Sequence, residues 1–359
     1  MIFQNLIKQK NMSFLIYGAS GYTGKITVEH AVKIGLKPTL AGRTESKVKP
    51  IADAFGLEYL IFGLEDVALA ASQLSKFPLV LNCAGPFSRT AKPMVKACLQ
   101  AGTHYLDITG EIEVFELVKS FHQKAAEKNI IVMSGVGFDV VPTDCMSKYL
   151  HEKMPDATHL ELAWAGLGGS ISHGTMSTMV EGLGRSGAVR ENGKIVTQAT
   201  GKEGKVVDFG SKQLFCMTIP WGDVSTAYHT TGIPNIKVFT GVPKSSYNSM
   251  KLQFLFNPIV RIGFVKKRIQ AYVDKNITGP TEEQREKGKS LVYGKVTNAK
   301  GDVVEARLKT AEGYKLTAEM SLIITQKILA DKTLKPGYHT PAELFGAKLV
   351  LEMPGSEFY

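Results

Sequence analysis

The chain has 359 residues, 44% hydrophobic and 21% charged, which is long enough for two packed domains and too apolar for disorder. Its formal net charge of +10 suits anionic partners, but Lys and Arg are spread along the chain with no dense basic stripe interleaved with aromatics, so nucleic acid is not an expected partner. Four widely spaced cysteines, Cys83, Cys98, Cys145 and Cys216, form no CxxC pair and have no His cluster nearby, which argues against a disulfide framework or a metal site and for a reducing compartment.

Residues 1–11, MIFQNLIKQKN, lack the apolar core and small-residue cleavage site of a signal peptide, and Met12 offers an alternative start directly before the first strand. No apolar run approaches the roughly 20 residues of a spanning helix, so the expected location is cytoplasmic. From residue 13 onward, short apolar runs alternate with helix-length segments. FLIY (14–17) precedes a helix to about Ile34, PTLA (38–41) one from Ser46 to Phe55, and LEYLIF (57–62) one from Asp66 to Ser75. LVLN (79–82) leads to a helix around Thr90 to Ala101, HYLDI (104–108) to one around Glu111 to Lys128, and IIVMS (130–134) follows. Nearly continuous apolar strands separated by helices predict a Rossmann-type doubly wound parallel sheet, covered on both faces.

After about Pro142 the pattern changes. HLELAWAGL, KIVTQA, KVVDFG, QLFCMTI and IKVFTGV read as strands of a second, mixed α/β domain with a largely antiparallel sheet, and a helix is expected to start near Gly174. SLVYGKVTNAKGDVVEARLKT (290–310) predicts a hairpin turning at Lys300-Gly301-Asp302, followed by a helix from about Leu316 to Ala330.

The first strand runs into GASGYTG, residues 18–24. A GxxGxxG spacing between a strand and a helix is the context of a dinucleotide-binding loop. Gly18 allows the tight turn, Gly21 the approach of a pyrophosphate and Gly24 close helix packing, with Ala19, Ser20, Tyr22 and Thr23 between them. The helix N-terminus then favours the phosphates. At the tip of the second strand, TLAGRTESK has no acid for ribose hydroxyls but offers Arg43 and Thr44, with Ser46 and Lys47 behind them. A guanidinium pairs with a 2′-phosphate, so the expected cofactor is NADP(H). The fourth strand ends in NCAGPF, where Cys83, Ala84, Gly85 and Pro86 are small or stiff enough to let the nicotinamide half pass.

At these residues the chain resembles the saccharopine dehydrogenase-like oxidoreductases, including their trans-acting enoyl reductase branch. GASGYTG, AGR, NCAGPF, KACLQAGTHYLDITGE, GFDVVPTD, GPTEEQREKGK, EGYKLTAEM and GYHTPAELFG carry the resemblance over roughly residues 13 to 348. It implies a Rossmann domain at 13–142 after an extension at 1–12, a substrate or dimerisation domain at 143–314, and a C-terminal helix and tail at 315–359 returning to the first domain. The resemblance covers several activities. No pair of arginines suggests itself for the carboxylates of an amino acid, whereas MKLQFLFNPIVRIGFVKKR (250–268) suggests contact with something apolar. Reduction of an activated C=C in an acyl or polyketide-like substrate is therefore expected. A saccharopine-type imine or amino-acid reductase, and a non-catalytic, lipid-associated NADP-binding protein, are the alternatives.

Candidate catalytic residues are Tyr105 and Asp107 at the fifth strand tip, Asp139 after the sixth, and His173 at a helix start in the second domain. Asp107 and Asp139 also suit helix caps. Tyr149 and Lys153 imitate the Tyr-x-x-x-Lys of short-chain dehydrogenases. In 250–268 the apolar residues, Phe254 and Phe256 among them, precede Lys266, Lys267 and Arg268, a pattern that suits peripheral docking on a membrane or lipid. The competing expectation is packing within the second domain or against a homodimer partner.

Overall fold

The computed structural model describes residues 13–184, 186–251, 257, 260 and 262–359. The chain divides into two units. The first runs to Phe138 and takes up Tyr314–Leu344; the second comprises Asp139–Gly313 and Phe345–Tyr359.

In the first unit the strands are β1 (Leu15–Tyr17), β2 (Thr39–Gly42), β3 (Tyr59–Ile61), β4 (Leu79–Asn82), β5 (His104–Asp107) and β6 (Ile131–Met133). Between them lie α1 (Tyr22–Lys33), α2 (Glu45–Phe55), α3 (Val67–Leu74), α4 (Phe87–Ala101), α5 (Ile112–Lys119) and α6 (His122–Glu127). The sheet is parallel, in the order β6-β5-β4-β1-β2-β3, so the chain reverses its winding direction between β1 and β4. Leu15, Val80, Tyr105 and Val132 from the strands pack with Ala91, Met94, Val95 and Cys98 of α4, all shielded from solvent. Each fully buried large apolar side chain in such a core contributes about 1.5–3 kcal/mol.

The helix expected over Glu111–Lys128 is two helices. Ser120 closes the first: its N–H bonds to both Glu116 and Leu117 carbonyls, and its hydroxyl turns back onto Leu117 at 2.6 Å. A seventh strand, β15 (Gly337–Tyr338), extends the sheet parallel to β6; among the described residues, eight strands of the second unit intervene in the chain. Gly337 has φ 120°, and a Cβ there would lie 2.9 Å from the His122 ring, so this edge needs glycine. The long helix α13 (Gly313–Ala330) reaches this unit from residue 314 on, where Thr317 accepts the Phe138 N–H at 2.9 Å.

The second unit holds a mixed sheet in the order β10-β11-β12-β7-β13-β14-β16. These strands are β7 (Ala157–Leu167), β10 (Gly204–Asp208), β11 (Gln213–Thr218), β12 (Asn235–Gly241), β13 (Lys289–Asn298), β14 (Val303–Ala311) and β16 (Glu357–Phe358). The hairpin β8 (Gly187–Glu191) and β9 (Lys194–Gln198) joins through β12. All its pairings are antiparallel except β7 with β12, which run parallel. The β13–β14 hairpin turns at Gly301, φ 88°, with the Asn298 side chain accepting from the N–H groups of Lys300 and Asp302. Helix α7 (Val141–Lys153) seats on Gly294 of β13, where a Cβ would come within 2.5 Å of Met146. The tail does not return to the first unit as expected: Phe345–Tyr359 belong to the second, with β16 paired to β14.

Candidate functional site

The glycine loop sits between β1 and α1, beside the point where the sheet reverses its winding. In sheets of this kind ligands bind beyond the carboxyl ends of the strands at that reversal. Each glycine answers to a different constraint. Gly18 has φ +82°, and a Cβ there would meet the backbone of Ala84, at the β4 tip, at 2.7 Å. Gly24 is buried, and a Cβ would strike the Gly18 carbonyl oxygen at 2.3 Å, so the third glycine lets α1 settle onto the loop.

Gly21 differs from both. It is exposed with an ordinary φ of −72°, and the nearest neighbour of an added Cβ is the Gly18 carbonyl oxygen at 3.4 Å, with open space beyond. It is also the N-cap of α1, which has no side-chain cap and no acid in its first turn. An uncapped helix start behind an open glycine fits a dinucleotide pyrophosphate. Ala19 is buried, Ser20, Tyr22 and Thr23 are half-buried, and the Tyr22 ring meets Tyr314 edge-on at 5.1 Å.

At the β2 tip Arg43 is exposed and forms no ion pair among the described residues. Its charge is felt at Tyr17, where it opposes the burial that pushes the phenol up to about 12. Thr44 precedes α2 without a side-chain cap bond. The neighbouring acid, Glu45, receives the Tyr59 hydroxyl at 3.0 Å. A guanidinium and a hydroxyl are thus available to a 2′-phosphate.

The β4 tip continues from Cys83, whose thiol is pushed up to about 12 by burial, to Ala84, Gly85 and Pro86. Asn82 holds this turn through the Ala84 N–H at 3.0 Å, and Thr90 donates to the Ala84 carbonyl at 2.6 Å. Glu111, which the sequence reading did not single out, completes it. Its two carboxylate oxygens accept the Phe87 and Ser88 N–H groups at 2.9 and 3.0 Å, and α4 consequently starts at Phe87, earlier than the Thr90 expected.

Tyr105 and Asp107 are in contact but are sealed in. Both are fully buried; Asp107 accepts from the Tyr105 hydroxyl at 2.6 Å, the Ser134 hydroxyl at 2.8 Å and the N–H groups of Thr109 and Gly135 at 3.0 Å. Burial holds its pKa above the usual carboxylate range despite these donors. The carboxyl ties the β5 tip to the β6 tip, a positioning task. Asp107→Ala should therefore lower stability by about 3 kcal/mol in thermal or urea melts, because it strands several buried donors. An unchanged melt with lost turnover would instead assign it a direct catalytic task.

Asp139 and His173 lie in the second unit. Asp139 is half-buried, and desolvation raises its pKa to about 7. Its charge bears on Asp223, fully buried at the start of α9 (Asp223–Thr231), while the nearby Asp144 receives the Thr230 hydroxyl. His173 begins α8 (His173–Gly182), where its Nε2 pairs with the exposed Asp274 of α11 (Gly263–Asn276) at 2.8 Å. The Tyr149–Lys153 resemblance fails: the Tyr149 ring stacks on Phe358 at 4.5 Å and carries the Lys153 ammonium 4.8 Å above it, so both serve packing on α7. Phe254 and Phe256 lie outside the described residues. Of the same segment, Ile262 and Phe264 are 53% and 68% exposed. Among the described residues no helix is long and apolar enough to cross a membrane.

Residues 14–133 match the family model described as the saccharopine dehydrogenase NADP binding domain. A saccharopine dehydrogenase-like oxidoreductase of Rattus norvegicus is 27% identical over 209 residues, covering 51% of this chain and 49% of that one. A trans-acting enoyl reductase of Mycobacterium ulcerans is 26% identical over 163 residues, covering 43% of this chain and 39% of that one. The chain thus spans about half or less of the length of these relatives. Saccharopine dehydrogenase (L-Glu forming) of Saccharomyces cerevisiae shares the fold, with a TM-score of 0.63 at 12% identity, over 97% of this chain and all of that one. Residues 14–133 thus form an NADP-binding domain of the saccharopine dehydrogenase kind, and the chain is similar to the saccharopine dehydrogenase-like oxidoreductases over about half its length.

Proposed function

We propose that this protein is an NADPH-dependent reductase acting on an activated C=C bond of an enoyl, acyl or polyketide-like substrate. The observation that carries the reading is the open Gly21 at the uncapped start of α1, with Arg43, which forms no ion pair among the described residues, one strand away. NADPH would supply the hydride. Gly18 to Gly24 would receive its pyrophosphate, Arg43 and Thr44 its 2′-phosphate, and Cys83 to Pro86 would border its path toward the nicotinamide. Asp139 is the proposed acid. Burial raises its pKa to about 7, so it would keep the proton that reduction of an activated C=C requires near neutrality. The enoyl assignment is supported by the name of the mycobacterial relative, and an apolar substrate by the exposure of Phe264 and Ile262 beside Lys266 and Lys267.

The test is NADPH oxidation, followed at the nicotinamide absorbance, with enoyl thioesters of increasing chain length and with cyclic imines. Enoyl thioesters should react, long chains faster than short ones. Turnover should decline above about pH 7 as Asp139 loses its proton. Asp139→Asn should lower turnover roughly a hundredfold and leave NADPH affinity unchanged. Reaction with imines alone would favour the amino-acid reductase reading, and full activity in Asp139→Asn would remove the aspartate from the mechanism.

A further inference from the structure

Two helices begin at neighbouring strand tips in the first unit, α1 after β1 and α4 after β4, and β1 and β4 are hydrogen-bonded partners. Both helix starts attract negative charge, since N–H groups and the positive end of the helix dipole converge there. The chain treats them differently. The start of α1 has no side-chain cap and no first-turn acid. The start of α4 has Pro86 as its N-cap, whose side chain offers no acceptor, and is filled instead by the Glu111 carboxylate, one oxygen on Phe87 N–H and the other on Ser88 N–H.

Glu111 is itself held in place. It is the N-cap residue of α5, its N–H donates to the Thr109 hydroxyl at 3.1 Å, and Thr109 N–H donates to the locked Asp107. An anion is thus fixed at the start of α4 by a relay running back to the β5 and β6 tips.

We propose that Glu111 is a specificity-determining residue: it occupies the start of α4 as an internal anion, directing ligand phosphates to α1 and excluding carboxylates and phosphates from the nicotinamide side. The inference rests on the cofactor lying across the reversal between β1 and β4, with its adenosine half toward Arg43 and its nicotinamide half toward β4. A substrate group approaching the β4 tip would then be uncharged, as a thioester or ketone carbonyl is. A carboxylate there would meet a fixed negative charge in place of a free helix start.

The experiment is a calorimetric titration of inorganic phosphate into NADPH-saturated protein, unmodified and as Glu111→Gln and Glu111→Ala. Saturation is read from bound-NADPH fluorescence before phosphate is added, so a failure of the cofactor reading appears at that step and separately. The unmodified complex should take up no phosphate. Both variants should show saturable uptake over the range in which the unmodified complex shows none, Glu111→Ala with a midpoint at least roughly tenfold below the highest phosphate concentration tried, because the vacated N–H groups accept a charged ligand. Glu111→Gln keeps one acceptor at the helix start, which guards against loss of the fold. Equal phosphate binding in all three proteins, or none in a folded Glu111→Ala complex, would overturn the proposal.

Discussion

Arg43→Ala should weaken NADPH binding by roughly ten- to a hundredfold and leave NADH binding nearly unchanged, because one charge-assisted contact to the 2′-phosphate is removed. The expectation rests on the state of the β2 tip. Arg43 is exposed and carries no ion pair among the described residues, so its guanidinium gives up no internal partner on binding. Glu45, the nearest acid along the chain, is engaged by Tyr59. The preference should also shrink with rising salt, since the contact is solvent-exposed. Equal affinities for the two cofactors in the unmodified protein would contradict the assignment of Arg43.

Gly21→Val and Gly24→Val should separate binding from folding. At Gly21 the new side chain meets one carbonyl oxygen at 3.4 Å and otherwise open space, so stability should change by no more than about 1 kcal/mol. NADPH binding should nevertheless disappear, because the valine fills the approach a pyrophosphate needs. At Gly24 the same change drives a Cβ to 2.3 Å from the Gly18 carbonyl oxygen and 3.0 Å from the Ala19 Cα, inside the loop itself. That variant should lose about 2–3 kcal/mol or more of stability as the loop and α1 are forced apart. Calorimetry and thermal melts on both proteins give the comparison. Normal NADPH binding by Gly21→Val would place the phosphates elsewhere.

The layout of the first unit was legible because strands covered on both faces read as short apolar runs, and the helices between them are long enough to register. The glycine loop was legible for a related reason: each glycine meets a local steric demand, and the demands recur at fixed spacing. What escaped was set by partners distant in the chain. β15 is two residues long, too short to show a period, and is defined by pairing with Ile131 and Val132. The same holds for β16, which draws the tail into the second unit. An acid at position 107 is visible in the sequence, but Ser134, 27 residues later, decides that it is locked instead of exposed. Glu111 looks like an ordinary helix start until its side chain is seen to cap a helix that begins 24 residues earlier. Tyr149 and Lys153 show the opposite case: a spacing that imitates chemistry arises from one turn of α7, with the Tyr149 ring stacked on Phe358.

The measurement that bears most directly on this account is a crystal structure of the protein with NADP+ bound. The pyrophosphate should lie over Gly21 at the start of α1, the 2′-phosphate within hydrogen-bond distance of Arg43, and the nicotinamide ring beyond Ala84, with the Glu111 carboxylate still on Phe87 and Ser88. A dinucleotide bound away from the glycine loop, or a 2′-phosphate turned away from Arg43, would contradict it.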